Sequence, residues 1–404
     1  MRLLALFSGL LVGGLLLELS LRVLQPEFAR PSVGKHLRYH FLAGNLNYAE
    51  FYVPDPVLGW RHAPGARRPF SRAGVHYEYR INSFGMHSAE CSQEPEPGVF
   101  RILVLGDSQA ITQVGLEYSH PQLTEDCLNE SRGPDDPTFE VLNLGVAGYG
   151  FSQYLNMLLT QGLDHKPALV LLQANPSNDF ADEFPQFMDL LWEVADRYAL
   201  VDGELVPRKA ALELELAEPS ATHDFLYGNL ALYRAYSNYV VNEYYYNRDG
   251  FLHSAAAKVG VDISPPGMPL IDFDQLKKFN KAERGSSHRT PAQLACVQAI
   301  LARMNEATLA AGSRLAIIAN PLASTQSDTG FSTDRRLRDM VRRLGVPFLD
   351  INKRVADYLE PGENAFEHMT FVPDIPDEHF DVQGNRTLAR MICDWLKEGD
   401  LLQR

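Results

Sequence analysis

The chain has 404 residues, 45% apolar and 22% charged, which suits one large domain with additions around a real buried core. A formal net charge of -14 repels phosphate backbones and excludes nucleic acid as the expected partner. Cys91, Cys127, Cys296 and Cys393 form no CxxC pair, which argues against a zinc ribbon or a thioredoxin-type site. One or two bridges are compatible with export, and the sequence does not choose a pairing.

The first segment, "MRLLALFSGLLVGGLLLELSLRVLQP", has an uncharged apolar run from Leu3 to Leu17 behind Arg2. A bilayer-spanning helix needs roughly 20 residues and a signal-peptide core roughly 7–15, so the run sits at the boundary. No A-x-A-like cleavage site follows, and Pro26 ends the helix. The expectation is an uncleaved amino-terminal anchor over residues 1–25, with a cleaved signal as the alternative. Either reading exports the remainder. No second stretch is as apolar, so the body is expected to be soluble.

Residues 26–98 read as a small β/loop module and linker. "DPVLGWRHAPG" predicts turns around short extended pieces, "GVHYEYRINSFG" a strand and turn, and "SQEPEPG" a linker. From residue 99 strand-length apolar runs appear: "FRILVLG", "FEVLNLG", "ALVLLQA", "RLAIIAN" and "VPFLDI". Such runs predict burial on both faces, as in a parallel sheet. Helical patterns lie between them, among them "HPQLTEDCLNE", "SQYLNMLLTQGL" and "PAQLACVQAILARMNEATLAAG", and "GNRTLARMICDWLKEG" follows the last loop. The alternation predicts a doubly wound α/β sandwich of about five parallel strands over residues 99–404. The third and fourth runs lie too far apart for one crossover helix, so residues from about 182 to 290 form a helical insertion. Its aromatic stretch "YRAYSNYVVNEYYYNRDGF" reads as core packing, or as a lid over Ser108.

Ligands of open α/β sheets bind beyond the carboxyl ends of the strands. Those ends carry Gly106-Asp107-Ser108, "NLGVAGYG" from Asn143, "NPSND" from Asn175, and late in the chain "DIPDEHFDVQGN". Each piece alone is an ordinary turn or surface segment. Together they supply what acyl transfer needs. A serine hydroxyl requires a base, usually a histidine held in one tautomer by a carboxylate, and the developing oxyanion requires preorganised N–H donors. "GVAGYG" lacks the spacing of a dinucleotide loop, and neither GxSxG nor HExxH occurs. No metal or other cofactor is implied.

In these motifs the sequence resembles the SGNH (GDSL) hydrolases, a family of esterases, lipases, carbohydrate deacetylases and O-acetyltransferases on a flavodoxin-like αβα fold. Gly106-Asp107-Ser108 matches the first block, Asn143 with Gly148 the second, Asn178-Asp179 the third, and Asp377 with His379 the last. The resemblance implies Ser108 as nucleophile, His379 as general base and Asp377 as its orienting acid. It implies an oxyanion hole of the Ser108 N–H, the Gly148 N–H and the Asn178 side chain. The acid–histidine spacing is Asp-x-His, as in some exported members, with Asp374 and Asp381 as alternative acids. The third block lacks its usual glycine. "DPVLGW" and "INSFG" resemble the amino-terminal module of anchored members. Gly106 is expected to permit a tight turn and Asp107 to brace the loop.

The reading is therefore an exported, membrane-anchored serine esterase acting on an acyl ester or an acylated glycan. An O-acyltransferase on an exported glycan and an inactive binding protein on the same fold are the alternatives.

Overall fold

The computed structural model describes residues 2–24, 51–72, 75–177, 179–182, 195–209, 220–237, 290–323, 331–370 and 379–403. In chain order the strands are β1 (Tyr52–Asp55), β2 (Gly59–His62), β3 (Arg67–Arg72), β4 (Val75–Arg80), β5 (Val99–Gly106), β6 (Thr138–Asn143), β7 (Leu169–Ala174), β8 (Asp196–Val201), β9 (Glu204–Lys209), β10 (Arg314–Ala319), β11 (Leu322–Ala323), β12 (Phe331–Ser332) and β13 (Phe348–Asp350). The helices are α1 (Arg2–Leu24), α2 (Ser108–Ile111), α3 (His120–Ser131), α4 (Phe151–Thr160), α5 (Asp179–Asp182), α6 (Ala221–Asn229), α7 (Pro291–Ala310), α8 (Arg335–Leu344), α9 (Ile351–Arg354), α10 (Ala365–Met369) and α11 (Val382–Glu398).

Five strands form one parallel sheet in the order β13-β10-β7-β5-β6. Counted within the sheet from the β6 edge, this is 2-1-3-4-5, so the winding reverses between β5 and β7. The register is flush at the carboxyl edge: Gly106 lies opposite Gln173, Val104 opposite Asn143, and Ala319 opposite both Ala174 and Asp350. Every residue of β7 is buried, which is why its sequence shows no alternation. Each large apolar side chain so buried contributes about 1.5–3 kcal/mol. Helix starts follow local chemistry. Thr290 and Gln293 form a reciprocal capping box ahead of Pro291 in α7, and Asp334 caps α8.

The α/β class and the five expected strands are present. The short antiparallel pair β11–β12 was not expected, nor was a second hairpin. Within the proposed insertion, β8 and β9 form an antiparallel hairpin about Asp202-Gly203, whose φ values are 52° and 87°. Asp-Gly takes this doubly positive φ at low cost, and it closes a two-residue hairpin. The "SQEPEPG" stretch is also no free tether. The buried guanidinium of Arg101 donates to the carbonyls of Ser92 (3.0 Å) and Gln93 (2.8 Å) while pairing with Glu140 at 2.6 Å. Most of the aromatic stretch expected as core or lid lies outside the described residues.

The chain divides into two compact units. In the one containing the amino terminus, Glu18 of α1 accepts from the N–H groups of Ala231 (2.9 Å) and Leu232 (2.7 Å), and Leu21 packs on Ala231 and Ala235. Leu11, Leu15, Leu16 and Leu19 of α1 are exposed. Among the described residues no helix is long and apolar enough to cross a membrane. The side chains of residues 1–8 and of Leu10 lie outside that description.

In the other unit, Cys127 of α3 is bonded to Cys393 of α11. The bridge closes a loop with a sequence separation of 266, so its removal frees much chain entropy in the unfolded state. The Cys127→Ala/Cys393→Ala variant is expected to lose about 3–5 kcal/mol of unfolding free energy in urea melts. An unchanged midpoint would show that the bridge does not constrain the unfolded chain.

Candidate active site

The sheet's switch point sits where β5 ends, and there the backbone passes directly into α2. Gly106 is required for close approach rather than for a turn: its φ is not positive, but a Cβ would lie 2.7 Å from the Gln173 carbonyl and 2.6 Å from the Ala110 Cβ. Asp107 is fully buried and caps α2, accepting from the Gln109 N–H at 2.9 Å and from the Asn175 side chain at 3.0 Å. The expected bracing role is the one this geometry describes. Ser108, the first residue of α2, is half-buried and faces out of that rigid base.

The far end of α2 is clamped by β4 and the segment that follows it. Tyr79 Oη donates to the Thr112 carbonyl at 2.5 Å, and His87 Nδ1 lies 2.9 Å from the Ile111 carbonyl. Thr112 is held at φ 69°, a left-handed conformation rare for a β-branched residue and costing of order 1–3 kcal/mol. The strain lies one helical turn from Ser108.

Asn143 holds the neighbouring loop. Its amide donates to the Ala110 carbonyl at 2.8 Å, and its Oδ1 accepts from the Gly145 N–H at 2.9 Å. Gly145 lies against the backbone of α2, where a Cβ would meet the Ile111 nitrogen at 2.5 Å. Gly148 has φ 80°, which only glycine takes freely. The loop around it is fixed by the Trp60 indole, which donates to the Ala147 carbonyl at 3.1 Å. Among the described residues neither the Ser108 N–H nor the Gly148 N–H has an acceptor.

Beyond β7, Asn175 and Asp179 lock a tight loop: the Asn175 N–H donates to Asp179 Oδ2 at 2.7 Å, and Tyr154 Oη donates to Asp179 Oδ1 at 2.8 Å. Asn178, between them, lies outside the described residues, as do Asp374 and Asp377. Asp381 is described and caps α11, accepting from the Gly384 N–H at 2.7 Å. Burial pushes its carboxyl above the usual range, against the hydrogen bonds from Gly384 and Gln383.

The decisive contact joins residues far apart in the chain: His379 Nε2 lies 2.8 Å from Ser108 Oγ. With the proton on Nδ1, Nε2 accepts the serine hydroxyl hydrogen, which is the arrangement a nucleophile and its base require. His379 is placed by its successors. Phe380 bridges to Thr370, and the Asp381 N–H donates to the Met369 carbonyl at 2.9 Å. At Gly384 a Cβ would meet that same carbonyl at 2.0 Å, so the residue keeps α11 seated on it. Among the described residues no three His, Cys, Asp or Glu side chains converge as metal ligands would.

No family model and no curated protein matches the chain. Solved structures to which it is similar include a psychrotrophic esterase from Pseudoalteromonas sp. (9% identity, 74% of this chain and 98% of that one, TM-score 0.32). A lipase/acylhydrolase from Enterococcus faecalis gives 13% identity, 74% and 96% coverage and a TM-score of 0.36. A catalytic mutant of an acetylxylan esterase from Geobacillus stearothermophilus gives 12%, 74% and 94%, and 0.36. Likenesses of this size carry no argument about chemistry, which rests on the placement of Ser108 and His379.

Sequence reasoning did not single out His120, Gln173, Asn320 or Asn385. All four are buried polar side chains beneath the site.

Proposed function

We propose that this chain is a serine esterase of SGNH type, forming an acyl-enzyme on Ser108 and passing the acyl group to water. The observation that carries the reading is the 2.8 Å approach of His379 Nε2 to Ser108 Oγ at the switch point of the sheet. In this reading His379 takes the serine proton as Oγ attacks the ester carbonyl, then returns it to the leaving alkoxide. The Ser108 and Gly148 N–H groups, with the Asn178 amide, receive the oxyanion. Asp377 holds His379 in the tautomer that leaves Nε2 unprotonated.

The substrate class in this reading is an acyl ester, including an acylated glycan. The site acts outside the cytoplasm, anchored by residues 1–25. The Cys127–Cys393 bridge supports export, because such bonds persist in oxidising compartments. The apolar run Leu3–Leu17 and the exposed leucines of α1 support the anchor.

A fluorophosphonate probe is expected to label the full chain, with the adduct on the Ser108 peptide by mass spectrometry, and labelling is expected to vanish in Ser108→Ala. Labelling that survives the substitution would overturn the assignment. Acetate release without transfer to an added glycan distinguishes hydrolysis from O-acyl transfer on the same acyl-enzyme.

A further inference from the structure

We infer that Asn320, Gln173, His120 and Asn385 form a buried positioning chain that sets His379 against Ser108. The inference rests on the serine-esterase reading and adds residues that touch neither substrate nor the reacting atoms.

The chain is continuous. Asn385 donates through Nδ2 to the carbonyls of Phe380 (3.0 Å) and Asp381 (2.8 Å), the two residues that follow His379. With both its amide hydrogens so used, its Oδ1 faces His120, accepting the backbone N–H at 3.1 Å and lying 3.0 Å from Nδ1. The other ring nitrogen, Nε2, lies 2.8 Å from the Gln173 side-chain amide, which in turn lies 2.9 Å from that of Asn320. Gln173 is the residue opposite Gly106 in the sheet, and its carbonyl is the group that forbids a side chain there. One end of the chain thus grips the loop of the base, and the other is seated beside the turn that presents the nucleophile.

All four side chains are buried, with exposures of 0–2%. A buried polar group without a partner is costly, so such a chain has one satisfied arrangement rather than many. Its proton order follows. Burial pushes the His120 imidazole down to about 4, so the ring is neutral at pH 7. Nδ1 must donate to Asn385 Oδ1, and Nε2 must therefore accept. The acceptance is met when the Gln173 and Asn320 amides are both turned about, so that Gln173 presents its NH2 to Nε2 and its oxygen accepts from the Asn320 NH2. Turned in this way, the Asn320 NH2 gains a partner where Nδ2 has none among the described residues. A leucine at position 120 would fill space and keep the backbone N–H to Asn385 Oδ1, but would remove the ring donor to that oxygen, loosening Asn385 and the carbonyls that fix the approach of His379.

The test uses the full chain with p-nitrophenyl acetate and a fluorophosphonate probe. His120→Leu is expected to lower kcat about 10–100-fold with KM within about twofold, because a misplaced base costs rate rather than binding. Labelling of Ser108 is expected to slow by the same factor. His120→Asn restores a donor where Nδ1 stands and is expected to recover kcat to within about threefold of wild type. Leu128→Ala, on the same helix but outside the chain, supplies a comparably destabilised control that is expected to keep its kcat. Wild-type kcat in His120→Leu, or an equal kcat loss in the Leu128 control, would overturn the inference. Should His120→Leu fail to fold, Gln173→Met carries the test, with the same direction of effect expected and an unchanged kcat counting against the chain. A wild-type chain that neither labels nor turns over overturns the esterase reading and takes this inference with it. Labelling that is intact in wild type and unchanged in the variants removes the inference alone.

Discussion

His379→Ala is expected to lower kcat/KM on p-nitrophenyl acetate by about 10³–10⁴, Ser108→Ala by a similar factor, and the double variant no further. The expectation follows from the 2.8 Å contact between Nε2 and Oγ. At neutral pH the hydroxyl is a poor nucleophile, and its proton must leave as the carbonyl bond forms. Removing the base therefore forfeits the nucleophile, and removing the nucleophile leaves the base nothing to do. A loss of this size corresponds to about 4–5.5 kcal/mol of transition-state stabilisation. Packing cannot account for it, because both residues are only half-buried and melting temperatures should move little. In the proposed oxyanion hole the Ser108 and Gly148 donors belong to the backbone, so residual turnover over water should persist in every variant. Multiplicative losses in the double variant would mean that the two residues act independently, and the proposed unit would be wrong.

The parts of this molecule that were legible in its sequence are those set by burial and by motif order. A central strand such as Leu169–Ala174 has no solvent face, so an unbroken apolar run announces it. Ser108 and His379 are separated by 271 positions, and only the order of strand-end motifs suggested that they meet. The hairpin at Asp202-Gly203 carried a local signal, a turn dipeptide between extended segments, that the insertion's aromatic content overshadowed. Gly106 was expected to permit a tight turn, whereas what it avoids is the Gln173 carbonyl, a contact made by sheet register and invisible in the chain. The pairing of Cys127 with Cys393 depends on how α3 packs against α11, which no spacing encodes. His120, Gln173 and Asn385 were the least visible. A polar residue at a helix start or a strand end reads as solvent-facing, and only the packed structure shows it to be enclosed.

Acid is expected to unfold this protein well before its carboxylates titrate as a group, and the cause is histidine. His62, His87 and His120 are all buried, and burial pushes their imidazoles down to about 3, about 4 and about 4. His62 is lowered further by the nearby His87. For His87 the geometry shows why. Nδ1 lies 2.9 Å from the Ile111 carbonyl and donates to it, so an added proton would go to Nε2, a buried atom with no partner among the described residues. In the unfolded chain each imidazole takes up a proton near its ordinary value of about 6.5. Between about pH 6.5 and pH 4 the unfolded chain therefore binds protons that the folded chain refuses, and stability falls as pH falls. The stabilisation is fully present above that window, and the loss levels off below the folded-state values. At its steepest the three together give a slope of up to about 4 kcal/mol per pH unit, against a total stability of about 5–15 kcal/mol. Asp381 and Glu125 act in the opposite sense. Burial raises both carboxyls, so each favours the folded state as pH falls, but both are only partly enclosed and offset a fraction of the loss. Urea melts from pH 7.5 to pH 4.5 measure the slope directly. His87→Phe, which keeps an aromatic ring against Tyr79, should reduce it by about 1.4 kcal/mol per pH unit. An unfolding free energy that stays flat from pH 7 to pH 5, or a His87→Phe variant with the full wild-type slope, would show that these imidazoles are protonated in the fold, and with them the tautomer assigned to His120 would fall.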